Sequence, residues 1–290
     1  MSKTNVTYTY DTLSVALQDG VLYATISNPP VNVMTLGLYA DLVDFTAKVA
    51  ADDAVRVVVM QSADPEFFIA HFDVSVILTF PIDTAPERAT SLSPFHTMCE
   101  LMRTMGKPTI AKLAGRVGGG GNEFAAACDM RFGVRDRTII NQMEVPLGIL
   151  PGGGGTQHLP RLMGRSRALE VILGAEDLDA ETAERWGYLN RIFPDTATLD
   201  SFVERLALRM AAWPAGAVAL AKASVLNAEP PMTEGLLDEA FLFQQTLRLP
   251  AARINMQAAM DQGAQTRAGE ARIGALMAEV AAGAEQPAGT

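Results

Sequence analysis

From residue 10 to residue 26 apolar and polar positions alternate, broken at Gln18-Asp19-Gly20. Period-two alternation around Asp-Gly predicts a hairpin, because that pair accepts the positive φ of a tight turn. From 35 to 51 the period lengthens to that of a helix, with Leu38, Leu42, Phe45 and Val49 on one face. Residues 55–60 are apolar and largely β-branched without alternation, the pattern of a strand buried on both sides. Residues 83–105 become helical after their first positions, 109–113 and 130–134 are strands, and 123–128 is a helix between them. A short strand over 138–142, helices over 155–162 and 167–173, and a last strand over 190–193 complete the series. Strands alternating with helices predict an α/β layered fold with parallel pairing. No fixed-period repeat indicates a solenoid.

Beyond about residue 200 the strands stop, and 199–213, 214–226, 233–247 and 250–262 are consecutive helical patterns. Ala240, Phe241, Phe243 and Leu247 make one of them apolar on more than one face. Such surplus apolar surface suits either packing against another subunit or an intramolecular cap. The expected organisation is an α/β core over 1–200, a helical oligomerisation region over 201–275 and a flexible tail over 276–290. The end of that tail, Gln286-Pro287-Ala288-Gly289-Thr290, is expected to be disordered.

Composition narrows the function. With 49% hydrophobic and 19% charged residues among 290, a disordered chain is excluded. The net charge of −10 and the presence of only five lysines leave no basic face for nucleic acid. Cys99 and Cys128 read as reduced thiols rather than a disulfide framework. The first ten residues show no signal-peptide pattern, and apolar runs such as Val57-Val58-Val59-Met60 fall far short of the roughly 20 residues that span a bilayer. A soluble cytoplasmic protein without nucleic-acid or membrane partners is expected.

The glycines are the strongest chemical signal. Gly118-Gly119-Gly120-Gly121 follows a strand and precedes a helix, and Gly152-Gly153-Gly154-Gly155 precedes another. Glycine ahead of a helix leaves amide N–H groups unobstructed where the helix dipole is positive. Neither run is a phosphate motif: Gly121-Asn122-Glu123 replaces the Gly-Lys-Ser/Thr of a P-loop, and glutamate at 123 breaks the dinucleotide fingerprint. Gly164-Arg165-Ser166-Arg167-Ala168 is not a nucleophile elbow. His71, His96 and His158 lack metal-ligand spacing, so no metal is expected. What remains is amide donors with two carboxylates nearby, Glu123 in the first turn of its helix and Glu144 in the loop before the second run.

Several ordered motifs then match a family. They are Phe68-Ile69-Ala70-His71-Phe72-Asp73-Val74, Lys107-Pro108-Thr109-Ile110-Ala111, Gly119-Gly120-Gly121-Asn122-Glu123-Phe124 with Cys128-Asp129, and Glu144-Val145-Pro146-Leu147-Gly148 running on to Gly155-Thr156-Gln157. With Ala180-Glu181-Thr182-Ala183 and Trp186-Gly187-Tyr188-Leu189-Asn190, they resemble the crotonase (enoyl-CoA hydratase/isomerase) superfamily across roughly residues 12–225. The resemblance implies a spiral of ββα turns, a C-terminal helical region used for trimerisation, and an acyl-CoA substrate. It implies a homotrimer or dimer of trimers, and no cofactor beyond the coenzyme A of the substrate.

Carried over by position, Phe72 and Gly120 match the oxyanion-hole amides, Glu123 and Glu144 the acid/base carboxylates of hydratases, and Gly152 an amide that orients water. Ala70, His71, Asp73 and Gly119 match substrate-binding positions. The chemistry accounts for this set: an enolate forming on a thioester oxygen needs preorganised donors, and hydration needs a base for water and an acid for the α-carbon. Both glutamates together favour hydration of a 2-enoyl-CoA. Double-bond isomerisation, thioester hydrolysis or decarboxylation remain in the same fold, and a catalytically silent scaffold or RNA-binding relative outside it.

Some positions depart from the family pattern. His71 stands where glycine is usual; its ring either points aside or touches the thioester. Ser75 stands where relatives often carry lysine, and no lysine follows Lys222. Met256-Gln257-Ala258-Ala259-Met260 and Arg267 replace the usual C-terminal coenzyme-binding segment, leaving Arg248, Arg253 and Arg267 as possible substitutes. The proline-punctuated stretch 77–97 is expected to line the acyl pocket, while for Phe80 and Phe95 ordinary core packing is the favoured role.

Overall fold

The computed structural model describes residues 7–284. In chain order the elements are β1 (Leu13–Gln18), β2 (Val21–Ile26), α1 (Leu36–Ala51), β3 (Val57–Ser62), α2 (Val74–Ile77), α3 (Pro94–Thr104), β4 (Thr109–Leu113), β5 (Arg116–Gly118), α4 (Gly119–Ala127), β6 (Met130–Val134) and β7 (Ile139–Asn141). Then come α5 (Gly155–Met163), α6 (Arg165–Gly174), β8 (Leu178–Asp179), α7 (Ala180–Trp186), β9 (Arg191–Phe193), α8 (Thr196–Ala211), α9 (Ala215–Leu226), α10 (Thr233–Thr246), α11 (Pro250–Asp261), α12 (Arg267–Glu270) and α13 (Ile273–Ala284).

Six strands form one sheet in the order β1-β2-β3-β4-β6-β9, parallel throughout except for the β1/β2 hairpin. The hairpin turns at Asp19 and Gly20, whose φ values of 49° and 81° are both left-handed. A smaller sheet, β5-β7-β8, lies beside the first. Two successive turns of the chain contribute a strand to the large sheet, a strand to the small one and then a helix: β4, β5, α4, followed by β6, β7, α5. This is the expected spiral of ββα turns.

The sheet is buried on both faces, which explains the continuous apolar run in β3. Val58 and Met60 face a core shared with α1 and α3, while Val57 and Val59 pack with Ile110 and Phe132 against Leu199, Val203 and Ala207 of α8. Val74, Met143, Leu147 and Ile149 form a separate core with α11 and α13.

Three sequence expectations change. The helix expected from residue 123 begins at Gly119, so Glu123 lies in its second turn, one turn beyond the dipole-compensating position. The glycines themselves form the first turn because residues 69–72 press against them. Second, residues 276–284 belong to α13 rather than to a flexible tail; Ile273, Leu276, Met277 and Val280 recur at helical spacing and are buried. Gln286–Thr290, expected to be disordered, and the first six residues lie outside the described region. Third, 83–93 is irregular, and α3 starts only at Pro94 behind the Ser93 cap.

Gly121 sits where α4 meets the incoming chain: a Cβ there would stand 2.5 Å from the Ile69 carbonyl oxygen and 2.6 Å from its Cβ. Gly121→Ala is expected to lower the unfolding free energy by about 2 kcal/mol, read from the urea midpoint. An unchanged midpoint would contradict this packing.

Candidate active site

The segment between β3 and α2 is pinned by backbone bonds: Met34 N donates to His71 O at 2.8 Å and Asp73 N to Met34 O at 3.2 Å. The first turn of α4 packs directly on it. A Cβ on Gly120 would stand 3.1 Å from Phe72 Cβ and 3.4 Å from Phe72 N. Gly119, at φ +44°, allows the helix to start here, since a Cβ would meet His71 Cβ at 2.8 Å and Glu144 Oε1 at 2.9 Å. Among the described residues neither the Phe72 nor the Gly120 amide donates to a protein acceptor. Two free N–H groups thus lie side by side, one at a helix N-terminus.

Beside them opens a cavity of about 290 Å³. Phe72, Gly120, Glu123, Glu144, Gly152 and Gly153 line its polar end. The rest of its wall mixes aromatic residues with others such as Ile149, Ala240 and Gln244. Tyr39 stacks on Phe95 with ring centroids 5.8 Å apart, Phe72 meets both edge-on, and Phe80 and Phe243 add two more rings. The expected lining role of 77–97 is therefore seen in Ile77, Phe80, Ser93, Pro94 and Phe95, and both phenylalanines are wall residues in addition to packing.

The two glutamates are buried and held differently. Glu123 Oε1 accepts from the amides of Gly153 and Gly155, both at 2.8 Å. Burial pushes its carboxyl well above the usual range, the charges of Glu144 and Glu239 push it further, and the two amides pull the other way. Glu144 ends a buried chain of side chains. The Tyr188 hydroxyl donates to Asn122 Oδ1, Asn122 Nδ2 to Gln142 Oε1 at 2.6 Å, and Gln142 Nε2 to Glu144 Oε2 at 3.0 Å. Burial raises Glu144 to about 7, against the opposing Gln142 bond and the charge of His71. Two carboxyl groups, both pushed up by burial, thus share one cavity.

A third carboxylate supports the loop. Glu239, on α10, accepts from Gly154 N at 2.7 Å, Thr156 N at 3.0 Å and the Thr156 hydroxyl, and contacts His96 Nε2 at 3.1 Å. Ala70, His71, Asp73 and Gly119 do not line the cavity: Asp73 caps α2 and accepts from Gln265 Nε2 at 2.9 Å, and the buried His71 ring turns towards Glu270. Asn122, Gln142, Tyr188, Glu239 and Glu270 went unnoticed as site residues; Asn122 and Gln142 were detectable as polar positions in apolar surroundings.

The arginines offered as substitute coenzyme ligands are engaged elsewhere. Arg248 donates to Thr84 O and Gln244 O, and Arg253 to Leu78 O at 2.7 Å and Phe80 O at 3.2 Å. Arg267 pairs with Asp64 at 2.5 Å and with Glu66. Two of them thus tether the loop that brings Phe80 to the cavity. No helix among the described residues is long and apolar enough to cross a membrane.

Comparison with known proteins agrees with this geometry. The family model described as enoyl-CoA hydratase/isomerase matches residues 16–263. A Streptomyces avermitilis protein provisionally described as an enoyl-CoA hydratase is 40% identical, with a TM-score of 0.86 over 94% of this chain and 100% of that one. Pseudomonas aeruginosa DspI is 29% identical with a TM-score of 0.70, over 82% of this chain and 95% of its own. The fatty acid oxidation complex subunit alpha of Shewanella sp. (strain MR-4) is 30% identical over 190 residues, 64% of this chain and 26% of that protein. The chain thus spans about a quarter of the length of such curated relatives. With its glycine-opened helix, free amide pair and converging glutamates, the chain belongs to the enoyl-CoA hydratase/isomerase family.

Proposed function

We propose that the protein hydrates 2-enoyl-CoA thioesters to 3-hydroxyacyl-CoA. The observation that carries this reading is the presence of both glutamates on the cavity that holds the free Phe72 and Gly120 amides. The thioester oxygen sits between those amides, which stabilise the charge that develops as the enolate forms. Glu144, whose carboxyl burial raises while the Gln142 bond and the His71 charge draw it down, takes a proton from water as the water oxygen attacks the β-carbon. Glu123, whose carboxyl burial pushes well up, delivers a proton to the α-carbon, and Gly152 helps hold the water. Transfer of a proton from Glu144 back to Glu123 resets the pair. The reaction so written uses no metal or redox group, and coenzyme A enters as part of the substrate.

Assembly as a homotrimer or dimer of trimers belongs to the same reading. Helix α9 buries none of its residues within the chain, and its Leu220 and Val225 are 74% and 72% exposed. An apolar helix of this kind suits contact with further copies.

Glu144→Gln is expected to lose about a thousandfold in kcat with crotonyl-CoA, while solvent ¹⁸O enters the product of the parent enzyme. Loss of only a few-fold, or product without the label, would sink the hydratase assignment; the unlabelled result would favour an isomerase. Because the base must be ionised, kcat/KM should fall as pH drops through about 7, where Glu144 takes up its proton. Sedimentation equilibrium should return three or six times the 31.0 kDa chain mass, and a monomer would exclude the proposed assembly.

A further inference from the structure

The His71 ring is buried behind the oxyanion hole, outside the cavity, and both of its nitrogens face acceptors. Nδ1 lies 2.7 Å from Phe72 O, and Nε2 lies 3.1 Å from Glu270 Oε1. A carbonyl oxygen can only accept, so Nδ1 carries a proton. Glu270 Oε1 already accepts from Gln265 N at 2.8 Å, which suits a carboxylate oxygen and not a carboxylic O–H. Nε2 therefore carries a proton too, and the ring is an imidazolium. Its φ is not left-handed, so the position tolerates a side chain without backbone strain.

The placement ties this charge to the proposed chemistry. The peptide that supplies the Phe72 amide is fixed at its carbonyl end by Met34 N, and the next carbonyl, Phe72 O, is held by the His71 ring. His71 Cβ and Glu144 Oε1 both crowd the place a Gly119 side chain would take, at 2.8 and 2.9 Å from where its Cβ would stand.

We propose that His71 and Glu270 form a buried imidazolium–carboxylate pair that positions the Phe72 amide of the oxyanion hole and sets a positive charge beside Glu144. Both are positioning residues, and the electrostatic half of their role rests on the acid/base reading of Glu144. The groups facing the ring are Glu270 from α12, Glu144 from the turn after β7, and Arg116 of β5, which acts on Glu270. Burial, the largest single influence, opposes the charge on His71, but Glu270, the Phe72 carbonyl and Glu144 together raise the imidazole to about 9. Burial likewise opposes ionisation of Glu270, and His71 holds it below the usual carboxylate range. The same imidazolium lowers Glu144.

The pair can be read without substrate. In ¹⁵N-labelled protein the His71 ring should give the doubly protonated signature at pH 7.5, and should lose it in Glu270→Gln. A neutral ring in the parent protein would overturn the proposal, whatever the reaction proves to be. In kinetics with crotonyl-CoA, Glu270→Gln and His71→Asn should each lower kcat about tenfold with KM nearly unchanged. The acidic limb of kcat/KM should move up by about one pH unit, which a purely structural defect would not produce. A limb that stays in place overturns the electrostatic role if Glu144→Gln abolishes that limb. If Glu144→Gln keeps both limb and activity, the acid/base reading has failed, and the ring signature alone judges the pair.

Discussion

Four successive amides at the start of α5 alternate between two buried carboxylates, Gly153 and Gly155 bonding Glu123 while Gly154 and Thr156 bond Glu239. A helix N-terminus presents amides that its own backbone cannot satisfy, and a buried carboxyl needs donors that water cannot reach. Each solves the other's problem. The arrangement also fixes the distance between the spiral core, which carries Glu123 on α4, and the C-terminal helices, which carry Glu239 on α10. Without it, neither the orientation of Glu123 nor the closure of the cavity by Phe243 would be determined.

The C-terminal helices accordingly do more than expose an apolar face. Glu239 reaches the loop that holds Glu123 and Glu270 reaches the segment that carries Phe72, both buried and both engaging a histidine from the core. A buried polar contact gains little net stability over an apolar replacement, because desolvation offsets attraction. The contribution of these two contacts is definition of geometry, at two places behind the cavity wall.

Much of this was readable beforehand. The strands at 109–113 and 130–134 appear where the apolar pattern placed them, as do the hairpin at Asp19-Gly20 and the four late helices within a few residues. Phe72, Gly120, Glu123, Glu144 and Gly152 were nameable from motifs and meet at one cavity. Of the short elements, β7 and β9 were expected over 138–142 and 190–193, while β5 and β8 were not. Strands β5 and β8 have three and two residues, too few for a period to show, and exist because the small sheet needs them. Helix α13 was hidden by the small and polar residues that follow it. The supporting polar residues were hidden for another reason: the link between Glu144 and Tyr188 spans three turns of the spiral, and nothing local to any one residue announces it.

The loop that carries Phe80 is held by Arg248 and Arg253 through main-chain oxygens of Leu78, Phe80 and Thr84. Anchors of that kind are indifferent to which side chains the loop bears. Residues there are free to diverge in bulk and shape while the strap stays fastened, so the contour of the cavity wall can change with the glutamates and their amide partners left alone.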